Sequence, residues 1–201
     1  MPDRILDDVV AVNVQSLYDT ATIPAPGIAT LSFFQTPRGG AGGNFAAAAA
    51  AKTYADTNME VAGMLPAGFN FKVLGIRLQP GFGMTRADSV GWSSGAWFTF
   101  WLGSIAQLRV PVDTVPAGAG PHGFYQLAAA ATNAAMSHGM PDIHNAYNIG
   151  RKPIDLLQGV NFYCTVDWTA VIAVTGVAPV QPAPGLPLRC YLDGFYYRAR
   201  G

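Results

Sequence analysis

Five segments dense in glycine and proline cut this chain into short runs: PAPG at 24–27, PRGGAGG at 37–43, QPGFG at 79–83, VPAGAG at 115–120 and APVQPAPGLP at 178–187. Proline fixes φ and removes a backbone donor, and clustered glycine stops helices and strands alike, so no long regular element can pass through them. The runs between them are rich in β-branched and aromatic residues, and several alternate with period two. From Phe162, the residues Phe162, Cys164, Val166, Trp168, Ala170 and Ile172 fall on one face, against Tyr163, Thr165, Asp167, Thr169 and Val171 on the other. That is a half-buried strand, bent near 168–170. Leu188, Cys190 and Leu192 oppose Arg189, Tyr191 and Asp193 in the same way. Further strands are expected at 69–79, 28–34, 95–103 and 105–112, the last two forming a hairpin across Gly103-Ser104. In GAWFTFWLG (95–103), Ala96, Phe98, Phe100 and Leu102 can face a core while Trp97, Thr99 and Trp101 face away. The stretch is too short to cross a bilayer as a helix. A strand so aromatic on both faces is either covered on both sides or adhesive on one.

Short punctuated strands of this kind predict an all-β sandwich or barrel. Two alanine-rich stretches, 44–54 and 127–137, read as short helices inserted in loops. There is no repeat of 20 to 50 residues. A chain of 201 residues suits one all-β domain. The organisation expected is an N-terminal arm over 1–27 and a single domain over 28–201. Within the arm, DDVVAVNVQSL could add a strand to this chain or to a neighbour.

Charge narrows the function. Charged residues make up 12% of the chain, about half the usual share. There are eleven Asp, nine Arg and three Lys, with Glu60 the sole glutamate. Glu and Lys dominate solvated helix surfaces, so their scarcity argues against a helical protein and for a surface partly covered by other subunits. The net charge is zero and Arg151-Lys152 is the only adjacent basic pair, so the footprint of a nucleic-acid binder is missing. The start, MPDRILDDVV, lacks the apolar core of a signal peptide, and no run reaches the length of a transmembrane helix. Cys164 and Cys190 both fall on apolar faces and read as buried small hydrophobes, with a disulfide as the other reading.

Four candidate sites fail on their chemistry. GWSSG (91–95) matches a nucleophile elbow, which needs a strand before it and a helix after it; here an aromatic strand follows. His122, His138, Asp142 and His144 carry metal-binding groups, but their spacing fits no zinc motif. Lys52 follows PRGGAGG and a run of alanines, whereas a phosphate loop needs glycine directly before the lysine. Asp167 and Asp193 have no second carboxylate near in sequence, and Asp193-Gly194 reads as a turn. No catalytic residue, cofactor or metal is assigned, and the chain is not expected to be an enzyme.

Three segments carry a resemblance: NMEVAGMLPAGFNFKVLGIRL (58–78), GRKPIDLLQGVNFYCTVDW (150–168) and LRCYLDGFYYR (188–198). In the style and order of its strands over 28–198, the chain resembles the jelly-roll capsid proteins of tailless, often lipid-containing, bacterial and archaeal viruses. The resemblance implies an eight-stranded, two-sheet jelly roll that assembles as trimers or pentamers into an icosahedral shell with other virion proteins. It implies no catalytic residues. Many small-virus coats carry a basic arm that meets the genome; here Arg4 stands against Asp3, Asp7 and Asp8. Direct genome binding is therefore not expected, and a shell over an internal membrane or another protein fits better. The expected function is a structural virion subunit. Trp97, Trp101, Tyr196 and Tyr197 are its candidate assembly contacts, because aromatics dominate interface hot spots. The alternative is a carbohydrate-binding β-sandwich, such as a phage receptor-binding component. An outer-membrane barrel is disfavoured by too few ten-residue strands.

Overall fold

The computed structural model describes residues 9–23, 30–42, 51–80, 96–116, 121–122, 137–138, 146–149, 152–168 and 187–199. The described residues are all-β, with no α-helix and one turn of 3-10 helix at Val112–Thr114. The strands are β1 (Val9–Asn13), β2 (Leu17–Thr22), β3 (Thr30–Phe33), β4 (Asn70–Pro80), β5 (Ala96–Leu102), β6 (Ile105–Pro111), β7 (Pro121–His122), β8 (Ser137–His138), β9 (Tyr147–Asn148), β10 (Ile154–Leu156), β11 (Phe162–Trp168) and β12 (Pro187–Ala199).

They form two main antiparallel sheets. In the six-stranded sheet, β12 lies beside β4; β1 and β2 pair with successive stretches of β12's free side, and β10 and β9 with successive stretches of β4's. The four-stranded sheet runs β3-β11-β5-β6. The small β7–β8 pair stands apart. The chain changes main sheet at every step between successive main-sheet strands except β1 to β2, β5 to β6 and β9 to β10, and the pairings nest: β2 with β12, β3 with β11, β4 with β9 and β10, β5 with β6.

One apolar core lies between the sheets. Leu17, Phe71, Val73, Ile76, Leu78, Leu188 and Leu192 come from the larger sheet; Leu31, Phe33, Phe98, Phe100, Phe162 and Val166 come from the smaller. Among the described residues six phenylalanines are fully buried, each stabilising the fold by roughly 1.5–3 kcal/mol relative to exposure. The alternation expected for 96–102, 162–168 and 188–192 holds, with Phe98, Phe100, Phe162, Cys164, Leu188 and Cys190 inside. The expected hairpin is present: β5 and β6 pair across Gly103-Ser104, with Gly103 at φ 58°, where a side chain is strained.

Residues 9–22 supply β1 and β2 to the larger sheet of this chain, the first of the two readings left open for DDVVAVNVQSL. One expectation changes. Asp193-Gly194 is no turn: it lies inside β12 opposite a β-bulge. Asp193 pairs with Gly75 and Gly194 with Val73, so Leu74 is the extra residue on β4. The bulge reverses β4's alternation: Phe71 and Val73 point in before it, Ile76 and Leu78 after it. Gly194 faces the point where β4's backbone comes closest; a Cβ there would overlap the Lys72 carbonyl oxygen and touch the Phe71 ring. The expected helices at 44–54 and 127–137 lie outside the described residues, except 51–54, which is loop and turn, and Ser137, which begins β8.

Candidate interaction surface

The outer face of the four-stranded sheet collects the outward residues of β3, β11, β5 and β6. Strand register sets them in rows: Thr30, Asp167, Trp97 and Pro111; Ser32, Thr165, Thr99 and Arg109; then Tyr163 and Trp101. Trp97 stands 39% exposed on this face. Trp101 is half-buried and lies parallel to Tyr163, ring centroids 5.8 Å apart and planes 10° apart. Each ring shields one face of the other.

A polar ladder fixes the face. The Trp101 indole N–H donates to Thr165 Oγ1 at 3.2 Å, and the Thr165 hydroxyl donates to Asp167 Oδ2 at 3.0 Å. Thr30 Oγ1 donates to Asp167 Oδ1 at 2.6 Å, and Arg109 Nε reaches Thr99 Oγ1 at 3.4 Å. Both Asp167 oxygens are thus engaged by threonine hydroxyls. Rigid rings and pre-bonded polar groups lose little entropy when covered. At the sheet's edge, β6 leaves Ile105 and Arg109 exposed.

Of the four candidate contacts, Trp97 and Trp101 meet here. Tyr196 and Tyr197 do not; they belong to β12 in the other sheet. Tyr196 packs edge-on against Phe71, ring centroids 5.0 Å apart, and burial pushes its hydroxyl up to about 12. Tyr197 is 7% exposed, with its hydroxyl 3.1 Å from Asp155 Oδ1. Burial and the Asp155 carboxylate push that hydroxyl up to about 12 as well. Both rings are thus engaged by contacts within this chain.

The larger sheet's outer face is polar. Arg77 grips Asp193 with two hydrogen bonds of 2.6 and 2.8 Å and stacks over Tyr191. Tyr191 reaches Gln79 Oε1, and Arg189 donates to Thr20 Oγ1 and the Ala55 carbonyl. These partners are far apart in sequence, and no local spacing signals them.

The least expected group is a buried ion pair. Lys52 Nζ lies 2.7 Å from Asp19 Oδ1, with side-chain exposures of 3% and 0%. The other Asp19 oxygen accepts the Phe34 backbone N–H at 2.6 Å, where Phe34 adopts φ 69°. Lys52 also holds the 37–40 turn through backbone bonds to Gly39 and Gly40. Burial raises the Asp19 carboxyl above its ordinary range, opposed by Lys52 and by donors from Phe34 and Thr57. The lysine rejected as a phosphate-loop residue is therefore a clamp between β2 and two loops.

The other rejected groups carry little. GWSSG, Asp142 and His144 lie outside the described residues; His122 and His138 sit on adjacent rungs of the β7–β8 pair. Among the described residues, no three His, Cys, Asp or Glu converge as metal ligands. Comparison of the chain with protein-family models, curated proteins and solved structures finds no match.

Proposed function

We propose that the sandwich is a jelly roll and that the protein is a structural shell subunit of a virion, self-associating through the outer face of its four-stranded sheet. The nested pairing order carries the reading. If β1 with β2, and β9 with β10, each count as one interrupted strand, eight strands pair first with last, second with seventh, third with sixth and fourth with fifth. A single long hairpin rolled into two sheets has that order, which defines the jelly roll shared by viral capsid and lectin domains. The low charge and the exposed Trp97 beside a prefixed aromatic pair supply the association surface.

Light scattering of the purified protein, with negative-stain images of the same peak, tests this. Discrete trimers, pentamers or closed particles are expected. Trp97→Arg should keep the strand signature in circular dichroism while weakening association roughly 30-fold or more per contact, the scale of a hot-spot tryptophan. A monodisperse wild-type monomer at high concentration overturns the reading. A glycan-binding sandwich is the second reading, favoured by the open Trp97 ring beside Asp167 and Arg109. It predicts quenching of tryptophan fluorescence by soluble polysaccharide, lost in the same variant.

A further inference from the structure

Cys164 and Cys190 sit at the middle of the two central strands, β11 and β12, on the inner faces of opposite sheets. Cys164 lies between Phe33 and Phe100 in its sheet, and Cys190 between Asp19 and Leu78 in the other. Both are fully buried free thiols in the one core between the sheets, and the sheets are tied at their level: Phe34, next to Cys164's partner Phe33, donates its backbone N–H to Asp19, the partner of Cys190. Two short side chains on opposite sheets at the centre of a sandwich are what a bridge between sheets requires, because a disulfide joins Cα atoms only about 4.4–6.8 Å apart. We propose that this pair is the site of an inter-sheet disulfide, formed when the chain folds in the presence of a small disulfide such as oxidised glutathione.

The exchange balances. One cysteine, as thiolate, attacks a glutathione sulfur and releases one glutathione thiol. The second cysteine gives up its proton, attacks the protein sulfur of the mixed disulfide, and releases the second glutathione. The protein loses two hydrogens, and one oxidised glutathione becomes two reduced ones. Burial, Cys190 and Asp19 together push the Cys164 thiol well above its ordinary range. The closed sandwich therefore reacts slowly, and the bridge forms while the sheets are closing. The staple does not depend on what the sandwich assembles into.

The test is to equilibrate the protein in mixtures of oxidised and reduced glutathione, in native buffer and in concentrated guanidinium chloride. Equilibrium is approached both by refolding reduced chain and by reducing oxidised chain. After acid quench, denaturation and alkylation, intact mass and peptide mapping read the product. The native state should favour the bridge about 100-fold over the denatured state, matching the usual stabilisation by a disulfide. The product should lose two hydrogens, and one peptide should link 164 to 190. Cys190→Ala should give only glutathione adducts. Equal disulfide fractions in the two states, or two alkylated thiols after oxidative refolding, overturn the proposal.

Discussion

Lys52→Met is expected to destabilise the fold by about 3–5 kcal/mol at pH 8, because it leaves the Asp19 carboxylate buried without its cation. The cost should shrink in acid. The Asp19 carboxyl is already raised in the folded chain, so its contribution to stability is complete below about pH 3.8, its ordinary value, and is lost as pH rises through the folded value. Lys52 is one of the groups that pull that value down. Without it the folded value climbs further, and the variant's stability should fall steeply with pH over a range where the wild type changes less. Urea midpoints of both proteins from pH 4 to pH 8 check this. A deficit independent of pH would show that the loss comes from packing of the lysine stem. Asp19→Asn combined with Lys52→Met removes both charges and should recover much of the loss, since the asparagine can still accept the Phe34 N–H.

Gly194→Ala is the second large effect. Its Cβ would overlap the Lys72 carbonyl oxygen, a backbone atom fixed in β4 that cannot swing aside. Overpacking against backbone at a bulge should cost about 3 kcal/mol, the upper end of the usual range, and lower Tm by about 6–12 °C in a domain of this size. Gly103→Ala is the control: open space surrounds that position and only its φ of 58° is unfavourable, so about 1 kcal/mol is expected. Equal thermal shifts for the two variants would remove the close approach at Gly194 as the cause.

The strands were legible because their alternation is local. Phe98, Phe100, Phe162, Cys164, Leu188 and Cys190 could each be placed inside from two or three neighbours. The hairpin at Gly103-Ser104 was legible for the same reason. The bulge at Leu74 was not, since an inserted residue leaves no compositional mark and shifts every later assignment by one face. Asp193-Gly194, read as a turn from the usual chemistry of that dipeptide, lies instead inside β12 opposite the bulge. The Asp19–Lys52 pair and the Arg77–Asp193 fork were hidden by distance along the chain: the partners stand 33 and 116 residues apart. Trp97 and Trp101 could be set on one face from spacing alone, but Tyr163, which completes the aromatic pair, comes from a strand that only the fold brings alongside.

The nested pairing also dictates an order of events at synthesis. Thr30 finds Asp167 at 137 residues' remove, and Ser16 finds Asp193 at 177. In the two main sheets β5 and β6, joined by a two-residue turn, are the partners nearest along the chain and can pair first. β2 meets the rest of the larger sheet through β12, the last of the described strands, which stands between β2 and β4. Chains dominated by such distant contacts fold slowly, and their unpaired strand edges are exposed in the interval. A ribosome that stalls before residue 187 releases a chain whose larger sheet has no centre, so for this fold β12 decides whether a nascent chain closes its sandwich or aggregates.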